Sequence, residues 1–379
     1  MNTINKQLID THIYTRIKLW FPPEIHEQIE YIYSDGKRIR PILCINSFFS
    51  QYNNISNLSN LSNLSIKSTN INQLNRYQQV INLLYDYSIL IELIHCISLV
   101  LDDGPQMDND IIRRNRPSFH TKWNAIYGDN YHIIFCYYLL SKVSIIISNI
   151  TYEFQMNILQ FINDRKFALI KQIFLLLSDN FDKFIKNLVD GQRIDLNLIN
   201  NSNCNYNNSN NCNTNIILEK GVNIYPFIIE LYLFYEYIIG IIFKYGSKYG
   251  YKTRKYVNKG QICASIINYL ANSIELNIKK TSSLFNISFT TGYIYSIICK
   301  ILFDDNIIIE NTNNNNDNNN DNNDNNDNII IDIKNAMILI EFIGNIYGIL
   351  YQYNDDINDR KQDFINKKPN IFNDLLMNF

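Results

Sequence analysis

Residues 78–102 read QQVINLLYDYSILIELIHCISLVLD, a run in which apolar side chains recur at three- and four-residue steps on several faces at once. A helix that is apolar on nearly every side is stable only when other helices surround it, which places this one at the centre of a bundle. Similar helical patterns run through about 130–150, 153–196, 261–279, 283–303 and 329–354. Strand-type alternation closed by glycine turns is missing, and 12 Gly and 7 Pro are too few to punctuate a sheet protein of 379 residues. The expected fold is all-α, a single large helical bundle.

Three low-complexity stretches interrupt that pattern: an Asn-Leu-Ser repeat over 52–73, an Asn-Ser-Cys tract over 197–216 and an Asn/Asp run over 310–328. None carries enough apolar surface to offset the entropy of ordering it, so each is expected as a disordered loop inserted into one domain spanning 1–379. The formal net charge of -2, with Lys+Arg 34 against Asp+Glu 36, offers no basic excess for nucleic acid. Cys44, Cys96, Cys136, Cys204, Cys212, Cys263 and Cys299 form no Cys-x-x-Cys pair, and their odd number fits reduced thiols better than disulfides or zinc. Residues 1–20 mix Asn, Asp, Lys and Arg with apolar residues, unlike a secretory signal. Val222 to Tyr245 is apolar and aromatic but contains Pro226, Glu230, Glu236 and Lys244. A carboxylate there costs about 2.5–3.5 kcal/mol in lipid, so a packed helix is expected and membrane association is not.

Two acidic clusters then stand out, Asp102-Asp103-Gly104-Pro105-Gln106-Met107-Asp108 and Asp355-Asp356-Ile357-Asn358-Asp359, each read as closing an apolar helix. Gly104-Pro105 breaks the first helix and lets Asp108 swing back toward Asp102. Asp355 and Asp359, four apart, share one helical face. So many carboxylates repel one another unless a cation sits among them. Oxygen-only sites suit Mg²⁺, which prefers one or two carboxylates completed by phosphate oxygens. Basic residues lie close by in Gly36-Lys37-Arg38-Ile39-Arg40-Pro41 and Arg113-Arg114. Acid and base together read as a diphosphate site shared by metal and protein, provided the clusters face each other across the bundle. Aspartates that merely solvate helix ends would explain one cluster, but not both together with the arginine pair.

In order along the chain, GKRIRP, DDGPQMD followed by RR, GQRID, KT and YQYNDDIND resemble the motifs of the trans-isoprenyl diphosphate synthases, the farnesyl, geranylgeranyl and polyprenyl synthase family. The resemblance implies a bundle of the isoprenoid synthase type that joins isopentenyl diphosphate to an allylic diphosphate. By that resemblance, Lys37, Arg40 and His95 bind the isopentenyl diphosphate, and Asp102 and Asp108 hold Mg²⁺ on the allylic diphosphate with Asp103 in support. Arg113 is implied to contact the allylic diphosphate and Arg114 the isopentenyl one. Gln192 and Asp195 correspond to a GQ-x-x-D helix, and Lys280, Thr281 and Gln352 to allylic-substrate contacts. Asp355 corresponds to a further metal ligand, backed by Asp356 and Asp359, and Lys368 to a later diphosphate-binding lysine. Roughly three Mg²⁺ ions per site are implied, completed by substrate oxygens. Ser98, Ile97 and Ile94, before Asp102, are expected to line the product pocket, and the lack of an aromatic ring there points to a geranylgeranyl-length or longer product. The family also implies a homodimer, in the cytoplasm or a plastid-like organelle. A non-catalytic partner subunit of a heteromeric synthase is the alternative; a terpene cyclase is disfavoured by the intact DDIND.

Overall fold

The computed structural model describes residues 6–51, 68–157, 162–204, 273–303 and 321–366. Helix α1 (Lys6–Trp20) is followed by a short 3-10 turn and α2 (His26–Tyr33). Next come α3 (Ile39–Gln51), which carries Pro41 in its first turn where a missing N–H costs nothing, and the long α4 (Ser68–Asp102). A minimal hairpin pairs β1 (Ile112–Arg113) with β2 (Arg116–Pro117). Then follow α5 (Phe119–Tyr127), α6 (Tyr131–Asn157), α7 (Asp164–Cys204), a helical segment over 273–279, α8 (Ser282–Phe303) and α9 (Asp321–Asn366). The expected all-α architecture is the one observed.

The core forms around α8 and α4. Helix α8 is buried along nearly its whole length and packs against α3, α4, α7 and α9, while α4 also packs against α3 and α6. Small residues make the closest approaches possible: a Cβ on Gly292 would lie 2.0 Å from the Cys44 carbonyl oxygen of α3. Some buried hydroxyls on α8 bond one turn back, as Ser288 does to the Leu284 carbonyl (2.8 Å), whereas those of Thr290, Thr291 and Tyr295 have no hydrogen-bond partner among the described residues. The cysteines Cys44, Cys96, Cys136 and Cys299 are free and buried in this core. The stretch Asn75–Asp102 is apolar enough to cross a membrane, yet 78% of its most apolar window is buried by protein, which makes it a core helix. Tyr131–Met156 passes the same test with only 33% buried, and α6 exposes Ile134, Tyr137, Leu140 and Ile145. Val222 to Tyr245, the segment singled out by sequence for membrane contact, lies outside the described residues.

Several boundaries differ from those expected. Helix α4 begins at Ser68 inside the Asn-Leu-Ser repeat, α7 runs to Cys204 inside the second tract, and α9 starts at Asp321 inside the Asn/Asp run. The physical reason is cooperativity: once an apolar helix is nucleated, extending it fixes one residue per added hydrogen bond, so even poor formers such as Asn can be drawn in. The pattern over 153–196 is two helices, because Asn163 interrupts it and caps α7, its Oδ1 accepting from the Lys166 N–H (2.9 Å). The second acidic cluster does not end its helix. Asp355, Asp356 and Asp359 lie within α9, which continues to Asn366.

Candidate active site

Two turns build the basic side of the site. Between α2 and α3, Asp35 and Arg38 adopt left-handed backbone conformations, with φ 62° and 58°. Each such residue costs about 1–3 kcal/mol and persists only where its surroundings enforce it. Here buried Arg38 is enforced by ion pairs from its guanidinium to Asp10 (2.7 Å) and Glu92 (3.3 Å). Lys37 is thereby left exposed and Arg40 buried, with the Arg40 Cζ 4.7 Å from the centre of the Phe285 ring. The Arg40 Nε has no hydrogen-bond partner among the described residues. Burial pushes its pKa down, but a guanidinium starts so high that it stays charged. The second turn is the hairpin tip, where Arg114 and Asn115 supply the two positive φ values (53° and 62°) that a tight two-residue hairpin needs. Arg114 Nη1 donates to the Ser34 carbonyl (2.7 Å), tying the two turns together.

The acidic side starts where α4 stops. After Gly104-Pro105 the loop folds back, and the Asp108 N–H donates to the Asp102 carbonyl (2.9 Å). Asp103 is buried and takes up the Arg113 guanidinium, whose Nε lies 2.8 and 2.7 Å from its two oxygens. Lys280 Nζ sits 2.6 Å from Asp195 Oδ2 and 3.8 Å from Asp102 Oδ2. Burial pushes the Asp102 carboxyl up to about 6; Lys280 opposes this, while Asp108 and Asp195 add to it. Burial also works against the Lys280 ammonium, but Asp102 and Asp195 outweigh it and hold its pKa up. From α9, Gln352 accepts from the Thr281 hydroxyl (3.2 Å) and donates to Asp356 (2.9 Å). Asp355 Oδ1 lies 3.5 Å from Lys37 Nζ, which also reaches the Tyr351 hydroxyl at 3.4 Å.

These groups enclose a cavity of about 940 Å³. Lys37, Arg40, His95, Ser98, Asp102, Arg113, Arg114, Gln192, Lys280, Thr281, Gln352 and Asp355 all line it, so residues from every motif meet at one place. Leu99, Leu188 and Leu284 add apolar wall. Burial, together with Arg40, Arg114, Arg113 and Arg38, pushes the His95 pKa well below its ordinary value and keeps the imidazole neutral. Asp108 and Asp359 are exposed and outside the lining, and Asp103 lies behind Arg113. Asp195 and Asp356 connect to the lining through Lys280 and Gln352. Ile94 and Ile97 are buried in the core instead of facing the cavity. Lys368 lies outside the described residues.

Sequence reasoning missed the Arg38–Glu92 pair and Tyr351, all of which line the cavity. Glu92 did carry a signal: it is the lone glutamate of the apolar 78–102 run, and a buried charge demands a partner. Among the described residues no three His, Cys, Asp or Glu side chains are gathered tightly enough to hold a metal unaided. Separated carboxylates with oxygen donors only still fit a hard cation whose shell is completed by phosphate oxygens.

The polyprenyl synthetase family model matches residues 22–222, a span that stops before Lys280 and the second acidic cluster. Among curated relatives, the heterodimeric geranylgeranyl pyrophosphate synthase large subunit 2 of Arabidopsis thaliana is 33% identical over 114 residues, 30% of this chain and 22% of that protein. A chloroplastic geranylgeranyl pyrophosphate synthase of Catharanthus roseus is 27% identical over 136 residues, covering 35% of this chain and 28% of its own length. The alignments therefore span less than a third of these two relatives. Among solved structures, a geranyltranstransferase of Thermotoga maritima superposes with a TM-score of 0.45 at 15% identity, covering 94% of this chain and 80% of that one.

Proposed function

The chain belongs to the polyprenyl synthetase family, and from that premise we propose that it is a prenyltransferase, condensing isopentenyl diphosphate with an allylic diphosphate to give a trans-prenyl diphosphate of geranylgeranyl length or longer. The observation that carries this reading is the single cavity lined at once by Asp102 and Asp355 and by Lys37, Arg40, Arg114 and Lys280. A diphosphate needs both: cationic donors for its own charge, and carboxylates for the metal that accompanies it. Asp102, Asp108 and Asp355 are the residues to hold Mg²⁺. When bound, it supplies Lewis-acid stabilisation of charge developing on the departing pyrophosphate.

The chain's own groups account for the rest. Arg113 is already oriented by Asp103, so it meets the allylic diphosphate as a preorganised donor that needs no reorganisation during reaction. Arg40, buried with its Nε unpartnered among the described residues, and Arg114 await the second diphosphate. Neutral His95 can donate to it without adding repulsion toward the surrounding arginines. Ionisation of the allylic carbon–oxygen bond leaves a cation, which the isopentenyl double bond attacks as the new carbon–carbon bond forms. The Thr281 and Gln352 oxygens face that cation as dipoles, while Leu99 and Leu284 help keep water from it. Loss of a proton to the departing pyrophosphate completes the step. Ser98, on the cavity wall, is the residue placed to meet the growing tail.

The exposed α6 stripe of Ile134, Tyr137 and Leu140 supports a homodimer; sedimentation of Tyr137→Glu should then show a monomer where the parent shows a pair. The activity test is incubation of purified protein with Mg²⁺, isopentenyl diphosphate and a series of allylic diphosphates. A lengthened prenyl diphosphate is the expected product. No product would favour the partner-subunit alternative, and a hydrocarbon would favour a cyclase.

A further inference from the structure

The loop carrying Asp108 is wound around Gly104. The Gly104 carbonyl accepts from the backbone N–H groups of Met107 (3.0 Å) and Asn109 (3.0 Å), and this winding is what returns Asp108 to Asp102. On the outer side of the loop sits a buried histidine, His132 of α6. A Cβ on Gly104 would lie only 2.8 Å from its Nε2, so the ring presses directly on the winding point. The same Nε2 is 3.0 Å from Gln106 Oε1, and the Gln106 amide donates onward to Asn130 Oδ1 (2.6 Å). Behind the ring, Asn124 Oδ1 accepts from the His132 backbone N–H (3.1 Å), which turns the Asn124 amide NH₂ toward Nδ1 at 3.0 Å. Nδ1 also lies 3.3 Å from the Asn124 Oδ1, so the direction is set at the other nitrogen: Gln106 Oε1 is an acceptor, which assigns the proton of a neutral ring to Nε2 as the donor to Gln106. Burial and the nearby His120 push the His132 pKa down, in keeping with a neutral ring. Every polar atom of the ring is used, and neither His132 nor Gln106 lines the cavity.

Taking Asp108 as a metal ligand, which rests on the proposed function, we propose that His132 is a positioning residue for that ligand: by bracing Gly104 and bonding Gln106, it holds the loop in the conformation that returns Asp108 to Asp102. Mg²⁺ tolerates little deviation from octahedral geometry, so a loosened loop should weaken ion binding more than it weakens the fold. Arg113 on Asp103 anchors the start of the loop, and His132 anchors its tip.

The test is Mn²⁺ affinity, read from the free-ion paramagnetic resonance signal in the presence of inorganic pyrophosphate, beside thermal unfolding without metal. Gln106 is exposed, so Gln106→Ala should leave the unfolding midpoint unchanged while raising half-saturating Mn²⁺ by about 10-fold or more. His132→Leu should do the same or worse, and His132→Gln, which keeps an amide donor, should recover part of the loss. If the parent binds Mn²⁺ and both Gln106→Ala and His132→Leu bind it equally well, the positioning role is overturned. If the parent itself binds no Mn²⁺ with pyrophosphate, the metal reading of the whole site falls and this inference falls with it.

Discussion

Individual side chains divide into those a motif announces and those only packing reveals. The charge clusters that contain Lys37, Arg40, Asp102, Arg113 and Asp355 were legible beside their apolar helices, and the resemblance to the isoprenyl diphosphate synthase motifs singled out these members, which all line the cavity. Arg38 was not, because nothing in GKRIRP says which basic residue is buried; its left-handed φ and its bonds to Asp10 and Glu92 are tertiary facts. At this scale, Asp102→Asn should lower kcat by roughly 100- to 1,000-fold, the usual effect of losing one stabilising group at a developing charge. Steady-state assays with saturating isopentenyl diphosphate, across a Mg²⁺ series, check that value. His95 gives a pH prediction. Its folded pKa lies well below the ordinary value because burial and four arginines oppose the proton. The unfolded chain takes up that proton near pH 6.5 while the folded chain does not, so stability falls as pH drops below about 6.5. Denaturant midpoints from pH 8 to 5 should therefore decline, and His95→Gln should flatten part of the slope. An unaltered slope in that variant would contradict the neutral, buried role.

Among elements, helix existence was legible from periodicity and helix ends were not. The Asn-rich tracts lack any apolar face, so a sequence reading stops each helix at their border, whereas the structure carries α4, α7 and α9 some way inside. The placement of Asp355 inside α9 has the same origin, since Asn354 and Asn358 look like terminators but are tolerated within an established helix. Close approaches between elements yield separable predictions. A methyl on Gly292 would meet the Cys44 carbonyl at 2.0 Å, far from the cavity, whose lining on α8 is Leu284. Gly292→Ala should cost about 1–3 kcal/mol of stability and lower the unfolding midpoint without a specific catalytic defect. A methyl on Gly191 would instead meet the Lys280 backbone nitrogen at 2.5 Å, pushing α7 away from the turn that presents Lys280 and Thr281. Gly191→Ala should therefore depress kcat/KM for the allylic substrate by more than its loss of stability explains. Parallel melting curves and steady-state assays on the pair of variants separate the two effects.

For the whole molecule, the sequence reading placed the decisive helices but could not show which faces meet. Ser98, Ile97 and Ile94 all precede Asp102, yet only Ser98 reaches the cavity, because on a helix that is apolar all round periodicity does not say which face turns toward a void. Ser98→Phe should consequently shorten the product distribution in a chain-length assay. Ile97→Tyr should mainly overpack the core, where the Ile97 carbonyl already lies 3.9 Å from Cys136 Sγ. Association of α6 faces would add a second level of organisation without changing the chemistry in each cavity. The proposed chemistry requires Asp102 and Asp355, which come from distant parts of the chain to line one cavity, to hold one diphosphate between them. A crystal structure with Mg²⁺ and an unreactive allylic diphosphate analogue tests this most directly. Metal density touching Asp102 and Asp108 on one side and Asp355 on the other, around a diphosphate held by Arg113 and Lys280, is the predicted result. A diphosphate bound outside this cavity, or metal density that leaves Asp355 untouched, would contradict it.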